Sequence, residues 1–418
     1  MNLKSAFGGI SQALGKRNYR YYWIGTFVSI LGFWVHKLAL GWLTWELTSS
    51  PFWLGIVGFS ALFPSFILAP FAGAIADKFG MRLVANYAII LSGVSAFLLG
   101  ALVYLDATSI EIVCVLTLVQ GMALAFDLPA RQGLVYYLVE RENLSSAIAL
   151  NTTTFHIGAF IGPALFGLVV RFMGMEWAFL INAVTFIFFF FCLNTLVLPE
   201  HPSDRRSNLR ITEDILEGIR YALNHPGIRS LFIIAVLPHL FIRPFIDLLP
   251  GFSADVFGKG TEGVAILAGS FGLGSLLLGI CLAVRGKTDG LARVNVISVL
   301  MATLFLLGFA ATNIFWFAMI SVFGVGMSII ASAVANQSLI QNTVDPDKRG
   351  RVISLSTGLA VGLPAIGSLT LGALGEKFGL QAPVIVCMFL GIIYWSFAAR
   401  GVISQAHTLE NIQDQFNQ

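Results

Sequence analysis

Charge is what this sequence has least of. Across 418 residues, Asp, Glu, Lys and Arg make up 11%, less than half of the roughly 25% usual in soluble domains. A water-soluble globule is thereby excluded, because its surface would be mostly apolar and exposed patches of that extent aggregate. Cysteine is as sparse. Cys114, Cys192, Cys281 and Cys387 all sit inside apolar stretches without Cys-x-x-Cys spacing, which excludes a disulfide framework and a thiolate metal site. The net charge is only +3 and the basic residues form no single run, so nucleic acid is excluded as a partner. No G-x-x-x-x-G-K-S/T loop and no H-E-x-x-H helix occurs, which removes ATP as a direct energy source and leaves no expectation of a metal, a cofactor or an enzyme activity.

What the chain has instead is apolar length: 57% of its residues are hydrophobic even without its 42 glycines. Reading the apolar runs between Gly, Pro and charged punctuation gives spans near 21–47, 52–76, 83–105, 110–134, 145–171 and 176–198. Six more fall near 228–254, 263–284, 293–311, 314–341, 351–375 and 381–399. Runs of about 20 apolar residues satisfy their backbone hydrogen bonds as helices crossing a bilayer, whereas barrel strands would alternate over about ten residues. The fold class expected is therefore an all-α integral membrane protein of twelve transmembrane helices. The first apolar run is long enough to serve as its own insertion signal.

An even number of spans puts both termini on one side, and basic residues identify that side. Of the 25 Lys and Arg, 20 fall in the terminal segments and even-numbered loops, including Lys16, Arg17, Lys78, Arg82, Arg205, Arg206, Arg293, Lys348 and Arg349. Both termini are expected in the cytoplasm. The longest polar stretch, 199–227, holds an amphipathic piece from Glu213 to Leu223 and divides the chain into an N-terminal bundle, 1–199, a linker, 200–227, and a C-terminal bundle with a short tail, 228–418. Sliding the chain by 205 residues aligns Gly121-Met122 with Gly326-Met327 and Gln132 with Gln337. The same shift brings Gly162, Gly167 and Gly174 onto Gly367, Gly372 and Gly379. A parallel repeat of two six-helix bundles is the architecture of transporters whose binding site lies between similar halves.

Three motifs carry a resemblance. After the second span, Gly73, Asp77, Lys78, Gly80 and Arg82 fit the G-x-x-x-D-R/K-x-G-x-R loop of the major facilitator superfamily. Gly158-x-x-x-Gly162-Pro163-x-x-x-Gly167 in the fifth span resembles the glycine-proline motif of its antiporters and exporters. Gly32-Phe-Trp34, Asp127-Leu-Pro129-Ala130-Arg131-Gln132 and Glu142-Asn143 through Asn151 resemble the branch of enterobactin exporters and macrolide efflux proteins. The resemblance implies the major facilitator fold, a bacterial inner-membrane location, a monomer, and a gating role for Asp77 in latching the two halves. It also marks a departure: Thr117 stands where the family's fourth-span R-x-x-Q-G pattern has an arginine associated with proton coupling, ahead of Gln120-Gly121. By local chemistry alone, Gly73 and Gly80 read as sites of close helix approach and a tight turn.

Ionisable groups at bilayer depth cost several kcal/mol unless paired or hydrated, which makes each a functional candidate. Arg243 and Asp247 stand four apart in the seventh span, among His239, Pro238, Pro244 and Pro250 that suggest a broken helix. They read either as a self-satisfied pair or as a coupling site. Asp247 is the first expectation for a protonatable carboxylate and Glu46 the second, with Arg243 a coupling candidate beside Asp247. Cavity candidates are Trp34, His36, Lys37, Asn151, His156, His239 and Gln337, with Lys37 either a cavity cation or a side chain reaching to the interface. Asp127 and Arg131 read as a structural pair. The function expected is a proton-coupled exporter of an amphipathic small molecule such as a drug, macrolide or siderophore. A lipid or lysolipid flippase and an uptake symporter of the same fold remain open beside it, and a non-transporting sensor further behind.

Overall fold

A computed structural model describes residues 11–198, 211–285, 290–345 and 347–410. Among them there is no strand, and twelve helices are long and apolar enough to cross a membrane. These are α1 (Arg17–Thr48), α2 (Pro51–Phe79), α3 (Met81–Tyr104), α4 (Ile110–Leu138), α5 (Leu144–Phe172) and α6 (Met175–Asn194), then, after the linker helix α7 (Ile211–Asn224), α8 (Pro226–Val256), α9 (Gly260–Arg285), α10 (Leu291–Ala310), α11 (Phe315–Thr343), α12 (Arg349–Phe378) and α13 (Gln381–Ser404). A short α14 (Ala406–Glu410) follows. Each expected span has its helix. Several ends, such as those at Arg17 and Phe79, lie further out than apolar runs suggest, because polar residues continue a helix beyond the hydrocarbon, whereas the sixth helix stops at Asn194, short of the expected 198.

The helices are apolar all round, with exposed Phe97, Phe191, Trp316 and Phe389 on their outward surfaces. Such a surface suits lipid rather than water. What holds them to one another is therefore close packing and a few directed hydrogen bonds.

One compact unit comprises the described parts of Met1–Ser49 and Ser60–Leu209 with Gly258–Gly272. In it α1 packs on α5 and α6, and α3 on α4 and α6. Its core gathers Tyr19, Tyr22, Ile89, Leu134, Phe189 and Leu193. Tyr22 donates from its hydroxyl to the Arg131 carbonyl at 3.1 Å, and Trp23 Nε1 donates to Thr154 Oγ1 at 2.9 Å. Arg131 Nε lies 2.7 Å from Asp127 Oδ2, with its guanidinium 4.1 Å over the Phe189 ring. At its surface Lys16 Nζ donates to Glu140 at 2.7 Å, and that hydrogen bond holds the Glu140 carboxyl below the usual range.

The other unit comprises Ser50–Phe59, the described parts of Arg210–Phe257, and those of Leu273–Gln418. Here α8 packs on α12 and α13, and α10 on α11 and α13. These four pairings are those of the first unit displaced by 205 residues. The counterpart glycines Gly121 and Gly326 each accept a serine hydroxyl, although the two serines stand 210 rather than 205 residues apart. Ser65 Oγ donates to the Gly121 carbonyl at 3.0 Å, and Ser275 Oγ donates to the Gly326 carbonyl at 3.1 Å. The unit boundaries run through α2 and α9, so that the beginning of α2 packs within the second unit and the beginning of α9 within the first.

The linker helix belongs to the second unit. Glu217 bonds Lys348 and pairs with Arg351 NH1 at 2.6 Å, while the Tyr221 hydroxyl donates to Asp345 Oδ2 at 3.0 Å. At the far end of the chain, the Glu410 carboxylate accepts from the backbone of Gly290 and of Ala292, each at 2.8 Å. It thereby satisfies donors that the first turn of α10 would leave free.

Candidate functional site

Proline decides the shape of α8. Pro238 opens a π-helical stretch, Pro238–Ile242, which a turn at 243–244 separates from an α-helical piece, Phe245–Gly251, before a second π stretch, Phe252–Val256. Pro244 has no N–H to give, so the ladder shifts. Arg243 N donates five residues back to the Pro238 carbonyl at 2.9 Å, and Asp247 N donates three residues back to Pro244 at 3.0 Å. The four-residue spacing of Arg243 and Asp247 thus spans a shift in the hydrogen-bond ladder, although the backbone at 243–244 stays right-handed helical and Asp247 still acts electrostatically on Arg243. Gly367 of α12 accommodates the break: a Cβ there would collide with the Leu240 carbonyl.

Beside the break is a cavity of about 170 Å³. Its polar lining is His239 and Arg243 from α8, Ser332, Asn336 and Gln337 from α11, and Ser356 and Thr357 from α12. Arg243 is exposed although it lies at the middle of its span. The buried Nδ1 of His239 has no hydrogen-bond partner among the described residues. Behind the cavity wall, Ser332 Oγ donates to Asn295 Oδ1 at 2.8 Å and Asn295 Nδ2 donates to Asn336 Oδ1 at 3.2 Å. Of the sequence candidates, His239, Arg243 and Gln337 come together here. Ser332, Asn336, Ser356 and Thr357 escaped sequence reasoning, because small polar residues in apolar helices carry no spacing signal. The repeat could have found two of them, since Ser332 and Asn336 are the counterparts of Asp127 and Arg131.

Asp247 occupies a second site in the same unit. Ser368 Oγ donates to its Oδ2 at 2.6 Å, and a Cβ placed on Gly58 would come within 2.9 Å of that oxygen. Further along the same α2–α12 contact, Ser50 Oγ donates to Glu376 Oε2 at 2.6 Å. Pro51 and Gly55 meet Gly372 so closely that a Cβ on Gly372 would lie 2.5 Å from the Pro51 carbonyl. Ser368 and Glu376 were also unanticipated.

In the first unit the glycine-proline motif is a packing surface. Gly158 faces Ile30, Gly162 faces Trp34, and a Cβ on Gly167 would lie 3.2 Å from that of Ala265 in α9. Trp34 is buried by this contact, with Phe155 5.5 Å away. His36 is buried edge-on against Phe179 at 5.0 Å. Lys37 Nζ lies 5.7 Å from the Trp34 ring centroid. Asn151 accepts from the Tyr19 hydroxyl at 3.2 Å, and half-buried His156 stands beside Phe155. Glu46 is exposed in the last turn of α1.

The loop motif is open. Asp77 is exposed, Lys78 lies over the Phe79 ring at 5.3 Å, and Arg82 donates to the Leu193 carbonyl at 2.8 Å. Gly80 takes φ +95°, which favours glycine, whereas a Cβ on Gly73 would meet nothing within 4 Å. The close approach expected at Gly73 is absent here, because its Cβ direction is open while the neighbouring Ala72 and Ala76 carry the buried contacts of this stretch.

Twelve apolar helices in a 205-residue repeat, with a polar cavity against a broken span, define a membrane transporter of the major facilitator class. The chain belongs to the transmembrane secretion effector family, whose profile it matches over residues 10–411. It is 26% identical over 367 residues to a staphyloferrin A transporter of Staphylococcus aureus, covering 86% of this chain and 90% of that one. It is 20% identical to macrolide efflux protein A of Streptococcus pyogenes over 88% and 93% of the two chains. In fold it resembles the nucleoside transporter NupG, with a TM-score of 0.73 at 14% identity, over 93% of this chain and 99% of that one.

Proposed function

We propose that this chain is a secondary active exporter of an amphipathic small molecule of the drug, macrolide or siderophore kind, working by alternating access and exchanging cargo for protons. The observation that carries the reading is the cavity at the break of α8, where Arg243, His239 and Gln337 present polar groups inside an otherwise apolar span. A group of this kind is retained at such depth for substrate or ion contact. Export is supported by the names of the relatives, among them macrolide efflux protein A and a multidrug efflux pump, Tap, of Mycolicibacterium fortuitum.

In this reading the sequence halves 1–199 and 228–418 rock about the cargo, with 200–227 joining them and both termini in the cytoplasm. Asp247 is the proton carrier, with Glu46 the second candidate, and Asp77 the latch. Trp34, His36, Lys37, Asn151 and His156 contribute from the first half. The test is movement of a fluorescent macrolide by purified protein in liposomes with an imposed pH gradient. Gradient-dependent movement is expected; equal rates with and without the gradient would end the proton-exchange part, and no movement of any drug, macrolide or siderophore tried would end the exporter.

A further inference from the structure

We infer that the cavity bordered by α8, α11 and α12 is a subsite for an anionic, carboxylate-bearing part of the cargo, with Arg243 as its charged anchor. This rests on the transporter reading above and names the chemistry of its cargo.

The repeat shows what is unusual about the site. In the first unit, Arg131 carries its own counter-charge, because Asp127 four residues earlier lies 2.7 Å from its Nε. Displaced by 205 residues, the same positions hold Asn336 and Ser332, both neutral. The cation at the cavity of the second unit is Arg243 of α8, and no carboxylate lines that cavity among the described residues. Asp247 on the next segment of α8 supplies a favourable electrostatic interaction to Arg243, but it does not line the cavity, so inside the cavity the guanidinium faces neutral groups alone among the described residues. A positive charge at mid-span depth, exposed to a cavity, calls for an anion that arrives with the cargo.

The remaining lining fits an anion as well. Asn336 has its carbonyl oxygen engaged by Asn295, which leaves the amide N–H groups of Asn336 as what it has to offer. Gln337 and Ser356 add donors, and His239 adds a ring nitrogen that no described residue satisfies. A planar carboxylate takes two parallel N–H bonds from a guanidinium, the geometry that arginine supplies and a lysine cannot. At about 170 Å³, the space is below the roughly 300–1,000 Å³ of a site for a whole drug-sized ligand. It holds one polar arm, leaving the bulk of the cargo outside it.

The experiment uses the full chain in phosphatidylcholine nanodiscs, titrated with citrate and, as the cationic control, choline. Citrate is expected to bind and choline not. R243M should weaken citrate at least about tenfold, and R243K should recover part of that loss by restoring charge without the fork. Citrate binding unchanged in R243M, no citrate binding by the wild-type chain, or choline binding as tightly as citrate would each overturn the subsite. If phosphatidylglycerol in the nanodisc displaces citrate through Arg243, the anion is a lipid phosphate and the cargo assignment falls. Macrolide movement by the wild-type chain in liposomes is scored separately. Movement without citrate binding sinks only the subsite, and citrate binding without movement of any cargo sinks only the transporter reading.

Discussion

A carboxylate inside a bilayer has to be held by something, and Asp247 is held by a hydroxyl: Ser368 Oγ at 2.6 Å, with the backbone of Gly58 against it. That arrangement lets the charge be removed without removing the contact. In D247N the amide keeps an oxygen for the Ser368 hydroxyl while losing the ability to take up a proton. The expected outcome is a folded protein whose gradient-driven transport falls at least about tenfold, the scale of losing one essential proton carrier, while gradient-free exchange continues. Flux measured in liposomes with and without the pH step checks this, and gradient-driven flux at the wild-type level would remove Asp247 from the mechanism. Much of this was readable from residue types, since a lone Asp in an apolar run stands out. Its partner was not, because Ser368 lies 121 residues away and nothing in a sequence pairs a serine with one carboxylate over another.

At the scale of elements, two close approaches between helices each require a residue without a side chain, one against a side chain and one against backbone. Gly162 of α5 lies against Trp34 of α1, so Gly162→Leu forces a branched side chain into a filled space. Overpacking of that kind costs about 1–3 kcal/mol, and a lowered unfolding temperature of the detergent-solubilised protein should report it. Gly367 lies against the Leu240 carbonyl where α8 breaks, and Gly367→Ala meets backbone that cannot yield as a side chain can. A comparable loss is expected there, together with reduced transport, because the break itself must shift to relieve the contact. The prolines explain why: a proline within a helix interior costs about 3 kcal/mol or more, and α8 keeps both Pro238 and Pro244. Pro244→Ala is therefore expected to raise the unfolding temperature and slow cargo turnover. An unchanged turnover would mean that the break shapes the cavity without moving. The helices and the fact of a break were legible from apolar run lengths and proline count. The π-helical register was not, since a proline in a sequence marks a missing donor but not which carbonyl the preceding N–H then takes.

For the whole molecule, the repeat was the most informative thing in the sequence, and its reach is visible in four helix pairings that recur at one displacement. Where the halves differ, chemistry follows: an ion pair in one, and in the other an arginine facing a cavity that no carboxylate lines among the described residues. That difference bears on how export would be driven. An anion leaving a cell whose interior is negative is pushed outward by the membrane potential itself, by roughly 2.3 kcal/mol per charge per 100 mV. Proton exchange would add to this drive rather than replace it. In liposomes with the potential clamped by potassium and valinomycin, a pH step alone should still move a carboxylate cargo if Asp247 exchanges protons. With the pH equal on both sides, an imposed potential should move the same cargo and leave an uncharged one where it is. Carboxylate flux that ignores the potential would show that the translocated complex carries no net charge, and flux that ignores the pH step would leave the potential as the sole drive.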